Sequence, residues 1–145
     1  MFLTQYLNKD FIGINVRSGN DFKNYQDNKI GFSKTPLEWY KRALPIIRKK
    51  YGNLPAFIIS DGCEKHLSSL LNLESTYLIK VSTAITDLLI LTKAKVLLAC
   101  GNSTFCAWAS FLGGMDTYSA PETPFTKFEI NLNRKEQVVG VIDWR

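Results

Sequence analysis

Three short polar segments of the sequence hold residue types suited to binding a charged ligand. They contain Asn15, Arg17 and Gly19 in the first, Asp61 in the second, and Asn102, Ser103 and Thr104 in the third. An arginine can pair its planar fork with two phosphate oxygens, and backbone amides at a helix start bind anions. Asp61 can accept hydrogen bonds from a base or from a sugar hydroxyl. Together the three segments indicate a ligand such as a nucleoside diphosphate.

Some of these residues also have a purely structural interpretation. Asn102, Ser103 and Thr104 are typical helix-capping residues, and Asp61 can cap the helix that follows it. Arg17 is harder to explain in this way, because an arginine that ends a hydrophobic strand would otherwise need a buried carboxylate partner. The residues alone leave both interpretations open for Asp61 and for the 102–104 segment.

The polar segments follow predicted strands. Apolar runs at 11–16, 56–59 and 96–99 predict buried strands, with weaker strands near 77–79, 117–120 and 138–142. Strands that alternate with helices predict a doubly wound α/β fold, with a mostly parallel sheet and helices on both faces. In such a sheet, ligands bind at the carboxyl ends of the strands. We therefore expect Arg17, Asp61 and Ser103 to share one cleft.

Helical patterns separate these strands. The first helix is predicted to start at a capping box formed by Thr35 and Glu38, and Pro45 predicts a kink or an early break within it. Further helices are predicted at 64–71, from about 83 to 93, and from 104 to 113. In the last of these, the spacing of its large apolar residues predicts a buried stripe. That stripe consists of Phe105, Trp108, Ala109 and Leu112.

Bulk properties favour a single domain that covers residues 1–145. The net charge of +5 favours anionic partners, and no nucleic-acid-binding motif accompanies it. One histidine and three cysteines without a CxxC pair predict no metal site, and the cysteines are interpreted as residues in or near the core. The sequence lacks an apolar run of about 18 residues, so no membrane span and a cytoplasmic location are expected.

At its polar segments the sequence resembles a known family. Asn15-Val16-Arg17-Ser18-Gly19-Asn20 resembles the His-x-Arg-Arg-Gly-Asp segment of the alpha-1,2-fucosyltransferases and their O-fucosyltransferase relatives. Ile59-Ser60-Asp61 resembles their strand that ends in Ser-Asp-Asp. The segment 87–108 resembles their order of Asp-Leu-x-x-Leu, an apolar strand and Asn-Ser-Thr-Phe-x-x-Trp. The resemblance covers roughly residues 11–113.

The resemblance implies a donor site for GDP-fucose in the C-terminal, Rossmann-like half of a GT-B glycosyltransferase. It implies an inverting transfer of the sugar to a glycan hydroxyl, without a metal ion or another cofactor. Arg17 would neutralise the leaving diphosphate, Ser103 and the following amides would hold phosphate oxygens, and Asp61 would accept from guanine. Such an enzyme also needs an acceptor-binding half, on a separate subunit or on a segment missing from a truncated chain.

The departures from the family pattern favour an alternative. The family's histidine is Asn15 here, its second arginine is Ser18, and its second aspartate is Gly62. These replacements predict weaker catalysis, so a catalytically degenerate binding or interaction domain with the same fold is the second hypothesis. An unrelated α/β nucleotide-binding protein is the third, and the sequence lacks both GxGxxG and the P-loop that would support it.

Overall fold

The computed structural model describes residues 8–17, 35–62, 64–80, 83–101, 103–123 and 137–143. Within these ranges the chain forms six strands and four helices. The strands are β1 (Ile12–Val16), β2 (Ala56–Ser60), β3 (Thr76–Leu78), β4 (Val96–Leu98), β5 (Asp116–Ser119) and β6 (Val139–Val141). The helices are α1 (Leu37–Tyr51), α2 (Glu64–Leu71), α3 (Ala84–Leu91) and α4 (Thr104–Gly113).

The six strands form one parallel sheet in the order β3-β2-β1-β4-β5-β6. The order changes direction at β1, because the chain builds outward through β2 and β3 and then returns to place β4 on the other side. Helices α1 to α4 form the crossover connections between successive strands from β1 to β5. The doubly wound α/β fold predicted from the sequence is confirmed.

The sheet has a hydrophobic core on each face. Ile12, Ile14 and Val16 of β1 point toward α1 and α2, and Phe11 packs on the other face with residues of α3 and α4. Gly13 also belongs to the α3 face, since a Cβ there would touch the side chains of Leu91 and Ala94. Because a strand alternates its side chains, the next inward residue on the α3 and α4 face is the polar Asn15.

The start of α1 differs from the sequence prediction. The N-cap is Pro36, with no side-chain cap bond, and Thr35 instead forms a 2.7 Å hydrogen bond with Thr123 Oγ1. The helix also continues past Pro45 to Tyr51, so the predicted early break is wrong. Pro45 is exposed, so water is close to the carbonyl that loses its amide partner there.

The predicted buried stripe on α4 is also partly wrong. Ala109 is fully buried, but Trp108 is 50% exposed and Leu112 is 45% exposed. Phe105 is partly buried at the start of the helix. Apolar spacing identifies residues that share one side of a helix, but it does not determine how much of that side a neighbouring layer covers.

Candidate functional site

A cleft of about 360 Å³ opens at the carboxyl ends of β1 and β2, beside the point where the strand order reverses. Doubly wound folds bind their ligands at this place, because loops on either side of the reversal separate and leave a crevice. The first turns of α3 and α4 form the other wall. The lining residues are Asn15, Val16, Arg17, Ile59, Ser60, Asp61, Ala84, Asp87 and Phe105.

Three of the sequence-predicted residues, Asn15, Arg17 and Asp61, line this cleft. Arg17 directly follows β1 and is half-buried, and Asp61 directly follows β2 and is exposed. Val16 of β1 pairs in register with Ser60 of β2, so the next residue on each strand emerges at the same edge of the sheet. The parallel pairing therefore places a guanidinium and a carboxylate along the same cleft.

The side chain of Asn15 forms its hydrogen bonds with groups on the protein side of the cleft. Its Nδ2 donates to the Ile59 carbonyl at 3.4 Å, and its Oδ1 accepts hydrogen bonds from the Cys100 and Cys106 thiols. Tyr40 donates to the Asn15 backbone carbonyl at 2.8 Å. Asn15 is therefore buried and positions the end of β1.

Ser103 and Thr104 stand at the start of α4. Ser103 is buried, and its Oγ accepts from the Cys106 amide at 3.3 Å, which is a helix N-cap bond. Thr104 is the first helical residue and is exposed. Phe105 lines the cleft, whereas Ser103 and Thr104 are not among its lining residues. The structure thus shows Ser103 as the N-cap of α4, and its phosphate-binding role stays a prediction.

Two other predicted residues, Gly19 and Asn102, lie outside the described residues.

Asp87 lines the cleft but was not among the residues predicted from the sequence. It lies in the first turn of α3 and lines the cleft, and its Oδ1 is buried without a hydrogen-bond partner among the described residues. Burial raises the pKa of Asp87. The sequence signal for Asp87 is the Asp-Leu-x-x-Leu segment, which begins at this residue.

Within the described ranges, no group of three or more His, Cys, Asp or Glu side chains could hold a metal ion. A helix long and apolar enough to cross a membrane is likewise absent from those ranges.

Comparison with known proteins identifies the family. The sequence matches the family described as "Glycosyl transferase family 11" over residues 3–144. The chain belongs to this family. The resemblance to fucosyltransferases drawn from the polar segments is thereby confirmed at the level of the family. None of the curated proteins matches this family 11 chain.

Solved structures share the fold of this family 11 chain. POFUT1 in complex with GDP matches with a TM-score of 0.56 and 15% identity, over 81% of this chain and 43% of that one. POFUT1 in complex with GDP-fucose matches with a TM-score of 0.54 and 13% identity, over 99% of this chain and 44% of that one. The chain therefore spans less than half the length of these POFUT1 chains, and at this identity the likeness shows the fold alone.

Proposed function

We propose that this chain is a donor-binding domain of a fucosyltransferase-type glycosyltransferase and that its cleft binds a GDP-sugar such as GDP-fucose. The proposal rests on one observation, namely that Arg17, Asp61 and Asp87 line one cleft at the reversal point of the parallel sheet. The similar POFUT1 structures, which hold GDP and GDP-fucose, support this choice of ligand. In the proposed reaction, an acceptor-binding part on another subunit or segment completes the transfer to a glycan hydroxyl.

Arg17 is assigned to the diphosphate. It leaves the sheet at the carboxyl end of β1, where the half-buried guanidinium can pair with two phosphate oxygens. Sugar transfer releases a diphosphate that carries more negative charge than it does in the intact donor. A cation held in place before reaction stabilises that charge without reorganising in the transition state.

The two carboxylates are assigned to the uncharged parts of the donor. Asp87 Oδ1 is a buried acceptor without a partner among the described residues, so it suits adjacent N–H donors of a ligand, such as the N1–H and N2–H groups of guanine. Asp61 lies at the exposed rim, where it can accept from guanine, as the resemblance implies, or from a sugar hydroxyl. Since Asp87 is the more buried acceptor, we place the guanine edge there and the sugar hydroxyls at Asp61.

The start of α4 is assigned to the remaining phosphate oxygens. Amide groups in the first turn of a helix carry the positive end of its dipole and attract anions. In this proposal Ser103 and Thr104, together with Asn102 and with Gly19 after β1, complete the phosphate site. Ser103 then combines two roles, since its hydroxyl already caps the helix.

The position of Asn15 favours a second candidate, a binding domain without catalytic turnover. The family's histidine is replaced here by an amide that cannot act as a general acid or base near neutral pH. Its oxygen and nitrogen are both engaged below the cleft, by two thiols and by the Ile59 carbonyl. This candidate keeps nucleotide binding through Arg17 and lacks transfer.

Calorimetric titration with GDP, ADP and UDP tests donor binding. We expect GDP to bind most tightly, and Arg17→Ala to weaken GDP binding about 10- to 100-fold, the usual worth of charge-assisted hydrogen bonds. Arg42→Ala is the matched control, because Arg42 is exposed on α1 and pairs with Glu38. Equal GDP affinity for both variants, or no preference for GDP, would contradict the proposal.

Incubation with GDP-fucose distinguishes the two candidates. A donor domain that supports chemistry should slowly transfer the fucosyl group to water or to the hydroxyl of an added glycan acceptor and release GDP, and Arg17→Ala should abolish that release. Binding without any release, also in the presence of a separately supplied acceptor half, would identify the non-catalytic candidate.

A further inference from the structure

Two buried cysteines approach each other directly below the cleft. Cys100 follows β4 and is 5% exposed, and Cys106 lies in the first turn of α4 and is fully buried. Their sulfur atoms are 3.8 Å apart. Both thiols are reduced in the structure, and the short 101–103 segment connects the two elements that carry them.

The cysteine pair is linked to the site through one amide. The Cys100 thiol donates to Asn15 Oδ1 at 3.0 Å, and the Cys106 thiol donates to the same atom at 3.4 Å. Asn15 lies two residues before Arg17 on β1, and its Nδ2 donates to the Ile59 carbonyl of β2. Any change in the two thiols therefore acts on the strand that positions Arg17.

We propose that Cys100 and Cys106 form a reversible disulfide and that its formation weakens ligand binding in the cleft above. The disulfide itself is inferred from the geometry of the two thiols. Its effect on affinity rests on the proposed function, since it presumes an anionic ligand held by Arg17.

The oxidant required is a hydroperoxide, for which hydrogen peroxide is the simplest example. The Cys100 thiolate attacks one peroxide oxygen, the O–O bond breaks, and the second oxygen leaves as hydroxide and takes up a proton to become water. This gives a sulfenic acid at Cys100. The Cys106 sulfur then attacks the Cys100 sulfur, the S–O bond breaks, and hydroxide leaves with the Cys106 proton as water. Two thiols and one hydrogen peroxide thus become one disulfide and two waters.

The surroundings distinguish the two thiols. When Cys100 is ionised, hydrogen bonding by the Cys106 thiol, then by Ser103, and attraction by Arg17 stabilise its thiolate and lower the pKa of Cys100, against the opposing effects of burial and of Asp61. The pKa of Cys106 is raised by its interaction with Cys100 and by burial. A thiolate reacts with peroxide and a thiol does not, so Cys100 is the attacking residue and Cys106 the resolving one.

The same geometry makes the disulfide reversible. A disulfide bond is about 2.05 Å long, so the sulfur atoms must turn toward each other and away from Asn15. Oxidation also removes both S–H donors and leaves Asn15 Oδ1 as a buried acceptor without them. An oxidised state that loses such bonds is more easily reduced than a structural disulfide. The loop closed by the disulfide is short, so the disulfide restricts the unfolded chain only a little and adds little to the free energy of unfolding.

The test uses the whole chain with Cys63→Ser as background, so that Cys100 and Cys106 are the two cysteines that remain. After treatment with hydrogen peroxide, peptide mass mapping should show a Cys100–Cys106 linkage, a loss of two hydrogen atoms, and full reversal by dithiothreitol. The Cys106→Ser variant should instead retain a sulfenic acid at Cys100 that dimedone traps. The Cys100→Ser variant should give neither product.

Measurements of GDP affinity and of backbone amide hydrogen exchange test whether the disulfide weakens ligand binding. Oxidation should weaken GDP binding about tenfold or more, as loss of one charge-assisted contact would. It should also speed amide hydrogen exchange in the peptide that contains Asn15, which needs no ligand. If reduced protein does not bind GDP, the proposed function fails while the linkage and the exchange still test the disulfide. Absence of the linkage, a linkage that leaves the affinity for GDP unchanged in a protein that binds GDP, or a linkage that leaves the exchange of the Asn15 peptide unchanged would overturn the inference.

Discussion

At the scale of single residues, burial of the Asp87 carboxyl group opposes folding, whereas the proposed function gives the same group a favourable role in ligand binding. Its Oδ1 is buried without a partner among the described residues, and burial raises its pKa above the ordinary value of 3.8. The folded chain therefore binds a proton at this carboxyl more tightly than the unfolded chain does. It follows that the ionised form opposes folding above the folded-state pKa, and that this penalty disappears below about 3.8.

Asp87→Asn should consequently raise the melting temperature of the ligand-free chain at pH 7. The gain should shrink as the pH falls toward 4 and vanish below the unfolded pKa, where Asp87 itself is neutral. The same variant should weaken GDP binding about 10- to 100-fold, because an amide presents a donor where guanine also presents donors. Thermal melts across pH and calorimetric titration measure the two effects.

Asp10→Asn is the control for this prediction, since it makes the same chemical change at an exposed position. It should change neither the melting temperature at pH 7 nor the affinity for GDP by a comparable amount. A melting temperature of Asp87→Asn that falls at pH 7 would show that Asp87 has a stabilising partner.

The sequence predicts the place of some cleft residues and not of others. Arg17 and Asp61 each directly follow an apolar run, so a strand end could be assigned to them, and both line the cleft. Asp87 lies inside a helical pattern, where a carboxylate usually faces solvent or favours the first turn. Its burial depends on where α3 crosses the sheet, and no local pattern contains that information.

At the scale of elements, the start of α4 combines helix capping with the proposed phosphate site. Ser103→Ala removes the bond from the Cys106 amide and should lower the free energy of unfolding by about 1 kcal/mol. If the α4 start also holds a phosphate, the same variant should weaken GDP binding severalfold. Urea denaturation and calorimetry give the two quantities separately.

Thr83→Ala provides the comparison, because Thr83 caps α3 through a bond of the same length from the Thr86 amide. It should cost a similar free energy of unfolding without the change in GDP affinity. If Ser103→Ala loses stability and keeps full affinity, Ser103 acts as a helix cap and the phosphate assignment is wrong.

The start of α1 shows where a local pattern was overridden by tertiary contacts. Thr35 had the sequence signature of a helix cap, but its hydroxyl bonds with Thr123 and accepts from the Gly101 amide. Gly101 itself has no room for a side chain, since a Cβ would overlap the Thr123 carbonyl. Thr35 thus bonds with the distant Thr123 and not with the amides of the helix that follows it. Sequence spacing does not encode such a long-range partner.

At the scale of the whole molecule, the net charge of +5 predicts how donor binding responds to salt. Raising the ionic strength from about 0.01 M to about 1 M shortens the Debye length from about 30 Å to about 3 Å. Attraction between the basic chain and a diphosphate should then decrease, and the Kd for GDP should rise with salt. Titrations at several salt concentrations measure the slope.

Guanosine serves as the control ligand because it lacks the diphosphate and keeps the guanine edge. Its weaker binding should depend little on salt, and Arg17→Ala should reduce the salt slope seen with GDP. Equal slopes for GDP and guanosine would place the diphosphate away from the basic groups of the chain.

The sequence by itself determined the alternation of strands and helices, the parallel sheet, the two helix layers and the family. These follow from patterns that are local, such as apolar runs buried on both faces and turn residues between them. The resemblance in the 15–20, 59–61 and 87–108 segments added the family, which the match over residues 3–144 confirms.

The tertiary structure alone decided that Asp87 enters the cleft, that Asn15 is held below it, and that Cys100 and Cys106 meet there. Each of these contacts joins elements far apart in the chain or depends on the angle at which a helix crosses the sheet. Packing of complete layers sets that angle, and the spacing of residues within one helix or strand does not.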